Sequence, residues 1–259
     1  LVFSNAYLLG SSINGSYRHD QTNSNWIDLQ GSLDQADISY LKRLALSIAD
    51  KTRLSWLDEI FLLGQLKNTQ FNIQGSLNDT STNDLAWSLV TELINVSASF
   101  AERWPNITAV SGKFSASPTL IKATLSQGNV EAIQFKDTTV QVTDIRTKEP
   151  LLSIKGEATG KTKQIIQLIK ESASTQNALD IDIPGTITGK GKLQFESTIP
   201  ILAKEKLIDI DLKGQYQFIN NQFDFGPELP VISKVNGKVF FTHNTCDFDE
   251  IQAQLLGGP

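Results

Sequence analysis

The sequence predicts a mainly β protein: a long, curved and twisted antiparallel sheet forming a hydrophobic groove, with two short α-helical elements. Three observations predict it. A five-residue unit, apolar–polar–Gly–polar–apolar or small, recurs seven times along 259 residues. Apolar and polar residues alternate on either side of that unit, and helical spacing is confined to two segments.

The unit occurs around Gly31, Gly75, Gly112, Gly156, Gly189, Gly214 and Gly237, as in Leu29-Gln30-Gly31-Ser32-Leu33 and Val235-Asn236-Gly237-Lys238-Val239. Strand side chains alternate between faces, so the glycine and its apolar flanks share one face and the polar residues share the other. One dry and one wet face mark an antiparallel sheet solvated on one side. Glycine on the dry face removes a side chain where curvature would crowd its neighbours, so these seven are expected to bend the sheet.

Alternation supplies the remaining strands and the candidate lining of the groove. Ile121 and Leu125 alternate with Lys122, Thr124 and Ser126, and Ile154 follows in the unit around Gly156. Leu179, Ile181 and Ile183 alternate with Asp180 and Asp182, and Ile187, Leu193 and Phe195 continue the pattern. Ile208, Ile210 and Leu212 alternate with Asp209 and Asp211. Tyr216 and Phe218, then Phe223 and Phe225, bracket Asn220-Asn221, which reads as a hairpin turn. Val239 and Phe241 close the set. About a dozen strands result.

The first helical element is expected over 36–63, where Ile38, Leu41, Leu44, Ile48, Leu54, Leu57 and Phe61 keep helical spacing, Ser55 and Asp58 resemble a capping start, and Gly64 suits a stop. The second is expected over 162–171, with Ile165, Ile166, Leu168 and Ile169. Both are too short to cover a dozen strands, so apolar sheet surface is expected to stay open to a ligand. Trp26, Trp56, Trp87 and Trp104 read as core anchors.

Composition narrows function. Lys plus Arg is 23 and Asp plus Glu 28, a net charge of −5, and no dense basic run occurs. Neither nucleic acid nor an anionic lipid surface is an expected partner. Cys246 stands alone, so no intrachain disulfide forms. No stretch approaches the roughly 20 apolar residues that span a bilayer. The chain has no methionine and opens at Leu1 in what reads as mid-domain sequence. It is expected to be a segment, 1–259, of a larger repeating β-groove protein whose membrane anchor lies outside it. A sub-boundary falls near 174–178, between a first part (1–175) and a second (176–259).

No catalytic or metal constellation emerges, and neither a cofactor nor an activity is expected. Gly160-Lys161-Thr162 ends like a phosphate-binding loop, but Lys155 stands where its first glycine belongs. His19 has no second ligand at metal spacing, and His243 with Cys246 and Asp247 reads as a turn. Asp180/Asp182 and Asp209/Asp211 read as solvated charges that discourage edge pairing.

The stretches Gln215 to Phe218, Phe223 to Pro230, Val231 to Phe241 and Ile251 to Gly258 resemble the repeat of the AsmA-like family, nearest its YhdP and TamB type of bridge-like lipid transport protein. Trp104 to Gly112 is similar to a segment of the YhdP central region, and the resemblance covers most of residues 28–259. It implies a periplasmic β-groove anchored in the inner membrane, moving phospholipid toward the outer membrane and maintaining that membrane's permeability barrier. The partner it implies is the phospholipid acyl chain, with an outer-membrane or periplasmic protein as a further partner. The N-terminal membrane helix and terminal docking parts of that pattern have no counterpart in this sequence. The alternative is a scaffold or chaperone for outer-membrane protein assembly, holding a β-strand instead of a lipid.

Overall fold

The structure, a computed structural model, describes residues 2–4, 10–19, 25–39, 61–76, 85–99, 106–143, 145, 147, 150–172, 185–200, 211–242, 245–256 and 258. Thirteen strands form one sheet in chain order. They are β1 (Val2–Ser4), β2 (Ser11–His19), β3 (Asn25–Asp37), β4 (Phe61–Ser76), β5 (Ala86–Ala98), β6 (Ile107–Ala116), β7 (Leu120–Val130), β8 (Ile133–Thr143), β9 (Leu151–Lys161), β10 (Thr186–Pro200), β11 (Asp211–Asp224), β12 (Ile232–Thr242) and β13 (Cys246–Leu255). Every neighbouring pair is antiparallel, and the sheet does not close on itself. Open sheets beyond about ten strands must curl or flatten.

A repeated backbone device interrupts the strands. Side chains alternate with period two, so apolar residues on one face should recur at i, i+2. In seven strands the side chains of that face instead take one step of three: Leu66 to Thr69, Leu93 to Val96, Ile107 to Val110, Phe135 to Thr138, Phe218 to Asn221, Ile232 to Val235 and Phe248 to Ile251. The residue just before the end of each step has left-handed backbone: Asn68, Asn95, Ala109, Asp137, Asn220, Lys234 and Glu250, with φ between 46° and 53°. Pairing register shifts at each of these places. These are β-bulges, which bend a strand and raise its twist. The extra residue restores the same face to the apolar series beyond it.

A bulge frees backbone groups from the ladder, and buried ones must find partners. Side chains of this sheet supply many of them. Thr138 Oγ1 donates to Lys136 O at 3.0 Å, Ser126 Oγ to Ser111 O at 3.0 Å, and Thr91 Oγ1 to Lys67 O at 3.3 Å. Asn236 Nδ2 donates to Lys234 O at 2.8 Å while its Oδ1 accepts from Asn220 N at 2.9 Å.

Helix α1 (Thr162–Ser172) follows β9 directly and packs against β9 and β10. Ile165 is buried, and Leu168 and Ile169 lie against the same core cluster, which includes Leu66, Leu93, Val110, Leu125, Phe135, Leu193 and Tyr216. A buried polar chain fixes the helix start: Tyr216 OH donates to Thr162 Oγ1 at 2.8 Å, Thr162 Oγ1 donates to Asn221 Oδ1, and Asn221 Nδ2 donates to Lys190 O at 2.7 Å. Lys190 O borders the irregularity at Gly189, whose φ is 105°.

Several expectations change. Of the helix expected over 36–63, both ends are strand instead: Ala36 and Asp37 finish β3, and Phe61 to Gly64 open β4, which leaves α1 as the one full helix among the described residues. Ile38 and Ser39 are helical, and 40–60 lie outside the described residues, as do Trp56 and Trp104. Asn220-Asn221 is no hairpin turn but the bulge within the continuous β11. Trp26 and Trp87 are 41% and 37% exposed, so neither anchors the core. The helix expected at 162–171 matches α1. Residues 174–178 lie outside the described residues, and β9 and β10 pair across them in one sheet.

Two outcomes follow. A Cβ on Gly31 would stand 2.5 Å from Phe71 Cζ and 2.9 Å from Ser12 O, so Gly31→Val should cost about 1–3 kcal/mol in urea unfolding, partly recovered by adding Phe71→Leu. Burial pushes the Tyr216 hydroxyl up to about 12, against an ordinary 10.0, with the Thr162 hydrogen bond opposing weakly. Between those values the folded state keeps a proton that the unfolded chain has lost, so stability falls as pH rises from about 10 toward 12. Tyr216→Phe should flatten that alkaline loss when urea midpoints at pH 9 and pH 11.5 are compared with the parent.

Candidate functional site: the apolar sheet face

Residues directly opposite on antiparallel strands share a face. Following register from strand to strand therefore identifies the side chains of one face without reference to their exposure. Ile121 lies opposite Ala116 and Val142, and Leu125 opposite Gly112 and Thr138. Ile154 lies opposite Val140 and Ser197. Leu193 lies between Ala158 and Tyr216, and Tyr216 between Leu193 and Val239. Ile187 faces Phe223, which faces Ile232, while Val239 faces Phe248.

The glycines and aromatics interlock on this same face. One row across β9 to β12 reads Gly156, Phe195, Gly214, Phe241, and a second across β10 to β12 reads Gly191, Phe218, Gly237. A Cβ on Gly214 would stand 2.6 Å from Phe241 Cζ, so the ring occupies the space that the glycine leaves. Gly31 under Phe71 and Gly128 under Phe135 repeat the arrangement. An aromatic ring laid over a cross-strand glycine fills the sheet surface and fixes register. Gly112 and Gly75 have φ of 158° and 151°; at Gly112 a Cβ would stand 2.7 Å from the Leu125 Cα. Gly189 sits at the register irregularity of β10.

The candidate lining residues are thus brought together where they are described. Ile121, Leu125, Ile154, Ile187, Leu193, Phe195, Leu212, Tyr216, Phe218, Phe223, Val239 and Phe241 share the face. Phe225 falls just beyond β11 and stacks on Phe223 at 6.2 Å and 17°. Phe218 makes edge contacts with Tyr216 at 5.0 Å and Phe223 at 5.7 Å. Leu179, Ile181, Ile183, Ile208 and Ile210 lie outside the described residues. Phe71, Trp87, Phe114 and Phe135 belong to the face but were missing from the sequence-based set. Alternation around Phe71, between Gln70 and Asn72, carried that signal.

The face is shielded more than its composition suggests. Leu125, Leu193, Tyr216 and Val239 are buried, and the other described candidates are half-buried, because rings and aliphatic chains on adjoining strands cover one another. Exposure rises at the margins: Tyr17, Trp87 and Phe248 are 38%, 37% and 71% exposed.

Groups capable of chemistry are sparse. Among the described residues no group of three or more His, Cys, Asp or Glu could hold a metal ion, and no helix is long and apolar enough to cross a membrane. Cys246 is exposed and unpaired; what burial it has, then the Asp247 charge, push its thiol pKa up, away from the reactive thiolate. His243 lies outside the described residues, and His19 Nδ1 lies 2.7 Å from Asn25 Oδ1. On the opposite face, a hydrogen bond from Gln194 and then the Lys192 ammonium hold the Glu157 carboxyl below its usual range.

No curated protein and no solved structure matches the chain. A family profile described as "YhdP protein" matches residues 1–259, the full sequence. The glycine units, the single meandering sheet and this match agree, and the chain belongs to the YhdP family.

Proposed function

We propose that this chain is a length of a bridge-like phospholipid conduit, carrying acyl chains along a hydrophobic groove formed by the apolar face of the sheet. The observation that carries the reading is continuity: register keeps apolar side chains on one face through β13, across seven phase-shifting bulges. Each CH₂ moved from water to such a face gains roughly 0.8 kcal/mol, so two acyl tails have ample reason to stay on it. Glycine and bulge curvature would make the face concave, and rings of similar size along it would let a tail slide between registers of similar energy. The helix α1, fixed at its start to β11, would narrow this path without ending it. In the full-length protein we place the groove in the periplasm, anchored to the inner membrane by parts outside this sequence. The work is transfer without covalent chemistry, with no cofactor.

A second reading, a scaffold for outer-membrane protein assembly, draws on one observation. Among the described residues β13 pairs with no strand other than β12, apart from a bridge of Leu255 to Gly258 at its end, and Phe248, Ile251 and Leu255 along it are exposed. An open edge of this kind can accept a strand.

Native mass spectrometry of the purified chain should show bound phospholipid, one or a few molecules per chain. A protein free of lipid, or one carrying peptide instead, would count against the conduit and, in the second case, for the scaffold. Trp87→Glu and Phe218→Glu place a charge on the apolar face, which costs desolvation to any lipid passing it. Both should lower bound lipid several-fold while circular dichroism stays β-rich; undiminished lipid in both would contradict the reading.

A further inference from the structure

The sequence contains no basic run, yet the sheet assembles a basic surface. It lies on the face opposite the apolar one, over β6 to β12. Register lines up Lys113, Thr124, Thr139, Lys155, Glu196 and Lys213 in one row across six strands. Lys155 and Lys213 both approach Glu196, at 3.5 and 3.8 Å. In the next row Lys136 and Lys192 hold Glu157, at 3.8 and 2.9 Å. Each carboxylate is thus shared between two lysines, leaving positive charge in excess.

Lys161 and Lys190 carry the point furthest. They are direct cross-strand partners, and both are exposed. Like charges placed directly opposite are destabilising. Neither has a carboxylate within ion-pair distance among the described residues. With Lys122 and Lys238 this part of the face holds nine lysines against Glu157, Glu196, Asp211 and Asp224, which is 9 − 4 = +5, with Glu92 and Asp249 opposite Lys113 and Lys238 on the flanking strands. The whole chain is −5. Solubility alone calls for no such segregation; mixed signs would serve it equally.

Between the lysines stand amides and hydroxyls: Gln134, Gln194, Gln215, Gln217 and Thr159. Phe240 is the single aromatic on this part of the face, so the buried aromatic anchors that dominate protein–protein interfaces are lacking. Lysines suit carboxylates, and amides and hydroxyls suit sugar hydroxyls.

We propose that the polar face over β6–β12 is a docking surface for an extended, carboxylate-bearing polysaccharide. It is independent of the lipid reading, because it uses the other face of the sheet.

The test is affinity measurement on the intact chain with polygalacturonate as probe. Binding should be measurable at 50 mM salt, weaken about tenfold or more by 300 mM as exposed charges are screened, and be absent with uncharged dextran. Combined Lys122→Gln, Lys161→Gln and Lys190→Gln should reduce affinity at least fivefold with unchanged circular dichroism, and the matching Lys→Arg set should retain it. Unchanged binding by the glutamine set would overturn the site. Equal binding of polyglutamate would overturn the sugar assignment, and equal binding of anionic phosphatidylglycerol vesicles would overturn the polymer in favour of a membrane.

Discussion

The structure depends on keeping one side of a thirteen-stranded meander apolar while its strands bend. Bending is done by bulges, and a bulge shifts the alternation of side chains by one residue. Without compensation, every apolar residue beyond it would turn to water. The chain compensates with a three-residue step at the same place, as at Phe218 to Asn221 with Asn220 left-handed between them. The backbone groups that each bulge frees are then taken up by hydroxyls and amides such as Thr138 and Asn236. The phase of the two faces is therefore kept by specific residues at each bulge.

Glycine acts on a second level. Where Gly156, Gly214 and Gly237 lie opposite Phe195, Phe241 and Phe218, the missing side chains admit rings across the strand. The rings fill the face and cover their neighbours, which is why so many apolar residues are half-buried on a sheet with little helix over it. A surface of this kind is oily yet self-shielding, which suits the path for acyl chains proposed above.

Much of this was legible in the sequence. Two-face polarity, the glycine unit and helix α1 follow from local periodicity, and register carries them into the fold unchanged. The phase shifts were not legible. A three-residue apolar step looks locally like a helical fragment or a turn, and Asn220-Asn221 carries turn chemistry because left-handed backbone is what both a turn and this bulge require. Gly64 looks like a helix stop but has φ of 138° within β4. The tryptophans misled for another reason: Trp26 pairs with Arg18 and Ser76 on the polar face, and Trp87 with Ile73 at the margin of the apolar one, and residue type alone reports neither. The basic face escaped notice because its lysines lie on separate strands and meet only through register.

That pair of tryptophans offers the most direct measurement of the central claim. Variants retaining either Trp87 or Trp26 as the sole tryptophan, the others replaced by phenylalanine, can be loaded with phospholipid brominated along its acyl chains. Fluorescence from Trp87 should be strongly quenched and that from Trp26 left nearly unchanged. Equal quenching of the two, or none of either, would contradict a lipid path confined to the apolar face.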